Sequence, residues 1–255
     1  MSYERTREHL EALGLQAALE GLDAALESGQ KQERTTVEIL DDLLTRERDT
    51  RFERRVATNL KLSGIAHART LESFNFDAEV DVSKQLIAEL ATLRFMHQSE
   101  NVLFLGPPGV GKSHLATGLG LKAIEQGHRV YFITLHDLVD RSRLARQRDR
   151  LHHLSNTVTR PDLLVLDEVG YLPLEQMDAT FLFQIVSRRY EAGKPIILTS
   201  NKSYGSWHDI FPDAILATAL LDRLLDQSTT VNIRGESYRL RHRRQAGLSS
   251  GEEKA

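Results

Sequence analysis

The chain contains no cysteine. That excludes disulfides, thiolate zinc sites and cysteine nucleophiles together. It has no apolar run near the ~18 residues that a membrane helix needs. Its first residues, MSYERTREHLEAL, are charged where a signal peptide would be apolar. A cytoplasmic protein with no membrane partner is therefore expected. An excess of one charge is also missing: 33 Lys+Arg stand against 36 Asp+Glu, a net charge of −3. A uniformly basic chain and a highly charged disordered one are both excluded. The histidines, including the pair His152-His153, have no metal-ligand spacing with carboxylates, so no structural metal is expected. What remains is ordinary globular material, 255 residues with 40% hydrophobic side chains, enough for a real core.

The small net charge hides an uneven distribution. Residues 1–42 carry four basic and ten acidic side chains. Residues 46–69 carry seven basic and three acidic, residues 141–150 five and one, and residues 234–244 five and one. Three basic islands in an acidic protein suggest local contacts with a polyanion; solvated helix faces are the plainer reading of any one of them. Residues 3–69 read as helical. Leu15, Leu19, Leu22 and Leu26 form one stripe, Ser28-Gly29 is expected to break it, and Thr35 or Thr36 can cap a second helix. Residues 71–81 read as a connector. Beyond residue 100, short apolar runs at 101–105, 129–133, 163–167, 195–200 and 229–233 alternate with amphipathic stretches. That alternation predicts a parallel sheet covered by helices on both faces. The last ten residues read as a disordered tail.

The strongest local signal is GPPGVGKS, Gly106–Ser113, which fits G-x-x-x-x-G-K-[ST]. It follows a buried-type strand and opens a helix, the context that phosphate binding requires. Gly106, Gly109 and Gly111 let the backbone wrap a phosphate, with Pro107, Pro108, Val110 and His114 completing the loop and first turn. Successive N–H groups and the helix N-terminus would face the anion. Lys112 would reach the β- and γ-phosphates of ATP, and Ser113 would offer its hydroxyl to Mg²⁺.

Two further strand ends complete the series. LLVLDE places Asp167 to hold Mg²⁺ and Glu168 to polarise the attacking water. TSN ends the next strand, with Asn201 the candidate beside the γ-phosphate because its amide both donates and accepts. An Asx turn is the plainer local reading of Asn201. Phe74 and Phe76 precede the core and either flank an adenine ring or pack the linker onto the core. Trp207 reads as a packing anchor.

GPPGVGKSHLA, LLVLDEVGYLPL, FLFQIVSRRYE, TSNKSYGSW, LLDRLLD and NIRGESYR together resemble the IstB family. These are helper ATPases of bacterial insertion sequences, similar to the helicase loader DnaC within the AAA+ class. The resemblance covers nearly the whole chain. It implies an α/β AAA+ P-loop fold with a five-stranded parallel sheet, preceded by a small helical domain. The expected division is 1–69 helical assembly or partner domain, 70–245 ATPase domain and 246–255 tail; many AAA+ proteins add a C-terminal helical lid, and the few residues after SYR lead to the expectation that it is missing here. The resemblance also implies a homo-oligomer, ring or spiral, that assembles with ATP on duplex DNA and stimulates a partner transposase of the IstA type. Lys112, Ser113, Asp167, Glu168 and Asn201 match the family's Walker A, Walker B and sensor positions. The arginine finger matches Arg223, with Arg239 competing.

The second island supplies a candidate DNA contact. Arg141, Arg143, Arg146, Arg148 and Arg150 are expected on the helix after the second strand, with Arg143, Arg146 and Arg150 on one face. Residues 46–61 are the second candidate. Charge without aromatic or base-reading motifs implies contact with little sequence specificity. A DnaC-like helicase loader is the alternative reading of the whole chain, and a nucleotide-gated scaffold without hydrolysis is a further one.

Overall fold

The computed structural model describes residues 2–67, 69–76, 80–171 and 173–235. The chain divides into two compact units, Met1–Thr58 and Asn59–Ala255.

The first unit is helical: α1 (Ser2–Ala12), α2 (Gln16–Lys31) and α3, which begins at Thr36 and runs to Leu62 across the division. Its core joins Ala18, Leu22, Ala25 and Leu43, with Leu10, Leu15, Leu26 and Ile39 packed around them. The leucine stripe therefore faces inward, as its spacing predicts. Thr35 starts α3 through a capping box: its N–H donates to Glu38 Oε2 at 2.7 Å, and the Glu38 N–H donates to Thr35 Oγ1 at 3.3 Å. One expectation fails here. Ser28-Gly29 does not break α2, which continues to Lys31. A Cβ at Gly29 would lie 2.4 Å from Ile39 Cδ1, so this glycine admits close packing of α3 and does not end a helix. The N-terminus of α2 is met by the carboxylate of Glu47, whose Oε2 accepts the N–H groups of Ala17 and Ala18 at 2.7 and 3.1 Å. Arg51 holds that carboxylate from the other side at 2.6 Å.

The second unit carries, in order, β1 (Val80–Asp81), α4 (Lys84–Ala91), α5 (Arg94–His97), β2 (Asn101–Leu105), α6 (Lys112–Glu125), β3 (Val130–Thr134) and α7 (Leu135–Gln147). There follow α8 (Leu151–Thr159), β4 (Leu163–Val169), α9 (Gln176–Glu191), β5 (Ile196–Ser200), α10 (Ala214–Leu225), β6 (Ser228–Asn232) and β7 (Arg234–Gly235). The main sheet has five parallel strands in the order β3-β4-β5-β2-β6. All five apolar runs form strands, shifted by at most a residue or two from their expected ends, apart from β4, which runs on through Val169. Val102, Leu103 and Phe104 are fully buried in succession, the mark of a strand covered on both faces. One layer of the core joins Leu103, Leu164, Leu166 and Leu198 to Leu182 and Ile185 of α9 and Leu220 of α10. Trp207 anchors the same layer, fully buried and stacked on Phe211 at 6.1 Å.

Arg189 of α9 is a buried cation with no carboxylate in ion-pair contact among the described residues. Its guanidinium donates to the carbonyls of Pro161 at 3.0 Å and Pro195 at 2.8 Å, joining the entry loops of β4 and β5. Residues 59–67 pack with this unit: Asn59 Nδ2 donates to the carbonyls of Gly127 and His128, and the Phe132 N–H donates to Ser63 O. They cover the open edge of β3. The expected basic helix is shorter than the charge pattern implied. α7 stops at Gln147, Arg148 caps it, and Arg150 precedes α8. Arg150 therefore does not share a helix face with Arg143 and Arg146. The expectations for a lid after residue 235, for Arg239 and for the tail 246–255 fall outside the described residues.

Candidate nucleotide-binding site

The loop from Gly106 leaves the C-terminal end of β2 and enters α6 at Lys112. This is the edge where open parallel sheets bind ligands. Two glycines show why side chains are excluded from the loop. Gly111 has φ +98°, and a Cβ there would lie 2.5 Å from the Phe74 ring. Gly106 has φ +150°, and its Cβ would lie 2.1 Å from the Ile233 carbonyl oxygen. Lys112 is nearly buried, and its Nζ donates to the carbonyls of Gly106 and Pro107 at 2.7 Å each. The ammonium is thus held within the loop's own curve.

A cavity of about 330 Å³ opens over this loop, lined by Gly109–His114, Glu168, Tyr171 and Thr199, with Arg69, Phe74 and Asn75 of the connector on its other wall. His114 turns toward the connector, its Nε2 lying 2.8 Å from the Thr70 carbonyl and 3.1 Å from Ser73 Oγ. Phe74 meets the edges of both His114, at 5.3 Å, and Phe76, at 4.8 Å. Phe74 therefore packs the connector onto the loop while also lining the cavity.

The two acids of β4 have different environments. Asp167 is buried, and its Oδ1 accepts both the Ser113 hydroxyl, at 2.8 Å, and the Thr199 hydroxyl. A hydroxyl and a carboxylate oxygen therefore meet beside the loop. That donor set fits Mg²⁺, a hard cation usually held by one or two protein oxygens together with phosphate and water. Glu168 is exposed toward the cavity and adopts φ +63°, at a pairing irregularity between β4 and β5. Left-handed backbone at a residue other than glycine costs on the order of 1 kcal/mol and persists only where the surroundings hold it. Here the Glu168 N–H donates to Thr199 Oγ1 at 3.0 Å.

Thr199 is the residue that sequence reasoning missed. TSN was singled out, but for Asn201. Thr199 is the buried one, and its hydroxyl touches both acid positions. The available signal was a hydroxyl in an otherwise aliphatic strand, IILTS. Asn201 lies just past β5 and does not line this cavity; its Oδ1 is buried near Gly170 with no hydrogen-bond partner among the described residues.

Arg223 lies elsewhere. Its guanidinium sits 4.8 Å from the Phe183 ring and donates to the Ala219 carbonyl at 3.0 Å. It lines a second cavity, of about 340 Å³, with Asn101 and Ile196, the first residues of β2 and β5. That is the opposite edge of the sheet from Gly106, about 16 Å away for a five-residue strand. Arg143 and Arg146 are also committed within the chain. They hold the buried Asp178 at 2.8 and 2.9 Å. Burial works against that carboxylate's charge, but the hydrogen bonds from Arg146 and Arg143 outweigh it and keep its pKa below the ordinary value.

Comparison with known proteins now decides the family. Residues 8–246 match the family of the IstB-like ATP binding protein. The chain belongs to that family. It is 44% identical, over 94% of its length and 96% of the relative's, to the ATP-binding protein of insertion sequence IS5376 of Geobacillus stearothermophilus. It is also 44% identical, over 89% of its length and 85% of the relative's, to that of IS21 of Pseudomonas aeruginosa. Among solved structures, the DnaC helicase loader superposes with a TM-score of 0.56 at 22% identity, over 65% of this chain and 97% of the loader. AMPPCP-bound DnaA of Aquifex aeolicus superposes with a TM-score of 0.55 at 22% identity, over 72% of this chain and 57% of that one. The fold is therefore AAA+, with the five-stranded parallel sheet expected of it. No helix among its described residues is long and apolar enough to cross a membrane.

Proposed function

We propose that this IstB-family protein is a Mg²⁺-dependent ATPase that oligomerises on duplex DNA and recruits and stimulates a partner transposase. The observation that carries the ATPase reading is the Ser113–Asp167 pair beside a phosphate loop whose cavity Glu168 also lines. The loop N–H groups and Lys112 bind the phosphates. Ser113 and Asp167 would hold Mg²⁺, which would supply charge neutralisation for the bound phosphates. Glu168 accepts a proton from the attacking water. The position of Arg223 on the far edge of the sheet supports its action on a neighbour's nucleotide and argues against action on its own. On this reading the protein is an oligomer with its nucleotide sites between subunits.

Hydrolysis on this reading changes the assembly and not the DNA, and the recombination chemistry belongs to the transposase. Residues 1–69 serve assembly or partner binding, and residues 70–245 serve the ATPase; the protein works in the cytoplasm. The insertion-sequence names of the relatives favour a transposase over a replicative helicase as partner. The test is ATP turnover with and without random-sequence duplex DNA, alongside strand transfer by a candidate partner transposase of the IstA type. DNA-stimulated turnover and protein-stimulated strand transfer are expected. Turnover without any effect on strand transfer would move the reading to the helicase-loader alternative.

A further inference from the structure

Two basic islands that are some eighty residues apart in sequence meet in one place. Lys61 and Arg69 of the first and Arg141 of the second line a cavity of about 480 Å³ beside β3. The same cavity reaches Ser113 and Asp167, and Arg69 lines both this cavity and the nucleotide cavity.

The state of each charge points to an anionic occupant. Several arginines of the two islands are already committed inside the chain: Arg51 to Glu47, and Arg143 and Arg146 to Asp178. Lys61, Arg69 and Arg141 have no carboxylate partner within ion-pair distance among the described residues, and Arg141 donates only to the Tyr131 hydroxyl, at 2.7 Å. The acids facing the cavity are Asp137 and Asp167. Asp137 lies in the first turn of α7, where the helix N-terminus favours its charge. Asp167 is engaged by Ser113 and Thr199, and its charge is offset once Mg²⁺ binds.

We propose that this cavity seats a backbone phosphate of duplex DNA, with Lys61 and Arg141 as its contacts. The proposal rests on the DNA-binding reading above and moves the contact from the Arg143–Arg146 face to the edge of β3. A point contact of this kind reads charge and spacing, not base sequence. Its place gives it a consequence. A phosphate here and Mg-ATP on the far side of Ser113 and Asp167 act on the same carboxylate. Each ligand then changes the other's affinity by the same factor.

The experiment is fluorescence anisotropy of the full chain on random-sequence duplex of about 30 base pairs, over a salt series with ATP analogue present. Lys61→Ala with Arg141→Ala should lower the slope of log K against log salt by about 1.8, two contacts at about 0.9 each. The loss of affinity should be similar on unrelated sequences, and the thermal unfolding midpoint should match the parent's. Lys61→Glu alone, on an exposed side chain, should also flatten the slope and serves if the double variant misfolds. An unchanged slope while the parent binds DNA would overturn the site and leave the DNA reading standing. A parent that binds no duplex would overturn the reading beneath it. Saturable binding of inorganic phosphate that the double variant loses, with an unchanged DNA slope, would assign the cavity to free phosphate and overturn the proposal.

Discussion

The hydroxyl of Thr199 accepts the backbone N–H of Glu168 at 3.0 Å and donates to Asp167 Oδ1. One buried side chain on β5 therefore ties the magnesium pair to the residue proposed as the base. It also holds Glu168 in the left-handed conformation that turns its carboxylate toward the cavity. Thr199→Val keeps the shape and removes both bonds. Hydrogen bonds to charged groups contribute roughly 1.5–3 kcal/mol, so kcat should fall about 10- to 100-fold. KM for ATP should change little, because the phosphate loop is untouched. Thr199→Ser should restore most of the turnover. Steady-state kinetics of the two variants check this; full turnover in Thr199→Val with a loss in Thr199→Ser would reduce Thr199 to a packing residue.

Lys112→Ala should weaken ATP binding by about 10- to 100-fold, the loss of one charge-assisted contact to phosphate. Titration of a fluorescent ATP analogue measures it. Its Nζ holds two loop carbonyls, so the substitution should also lower the unfolding midpoint slightly.

Asp178 is buried and paired with Arg143 and Arg146. Asp178→Asn should cost about 2–4 kcal/mol, since two charge-assisted contacts go and Arg146 stays partly buried. The pH dependence has a definite sign. Asp178 has a lowered pKa in the folded chain, so its contribution is complete above the ordinary carboxylate range and is lost as pH falls below about 4. Urea unfolding of parent and variant across acidic pH should show the gap between them closing.

Arg223→Ala should bind ATP yet be inactive alone, and Lys112→Ala should be inactive alone at ATP concentrations that its weakened site does not fill. Mixed, they form some interfaces that join an intact nucleotide site to an intact Arg223. Partial recovery of ATP turnover supports action in trans. No recovery in oligomers shown to be mixed, or full activity of Arg223→Ala alone, would count against it. The second outcome would turn attention to Arg239.

The phosphate loop and β4 acids were legible because their chemistry is local: a strand, glycines, a lysine and a helix in one short stretch. The five strands were legible because continuous apolar runs admit few other readings. Three features were not, each for a reason of contact. Gly29 looks like a helix breaker until Ile39 is seen against it. Arg143 and Arg146 look like a solvent-facing DNA contact until Asp178, more than thirty residues on, is found between them. Thr199 looks like strand filler until β4 and β5 are aligned. Local pattern carries backbone states; side-chain partners across elements are decided only by packing.

Hydrolysis of ATP at Glu168 is tested by ATP binding and turnover in Glu168→Gln. The amide keeps the shape and gives up the base. Turnover should fall about 10²- to 10⁴-fold, the usual contribution of a positioned base. Affinity for ATP should stay within about threefold of the parent's, and the variant should accumulate on DNA in the ATP-bound state. Hydrolysis at the parent's rate would contradict the account.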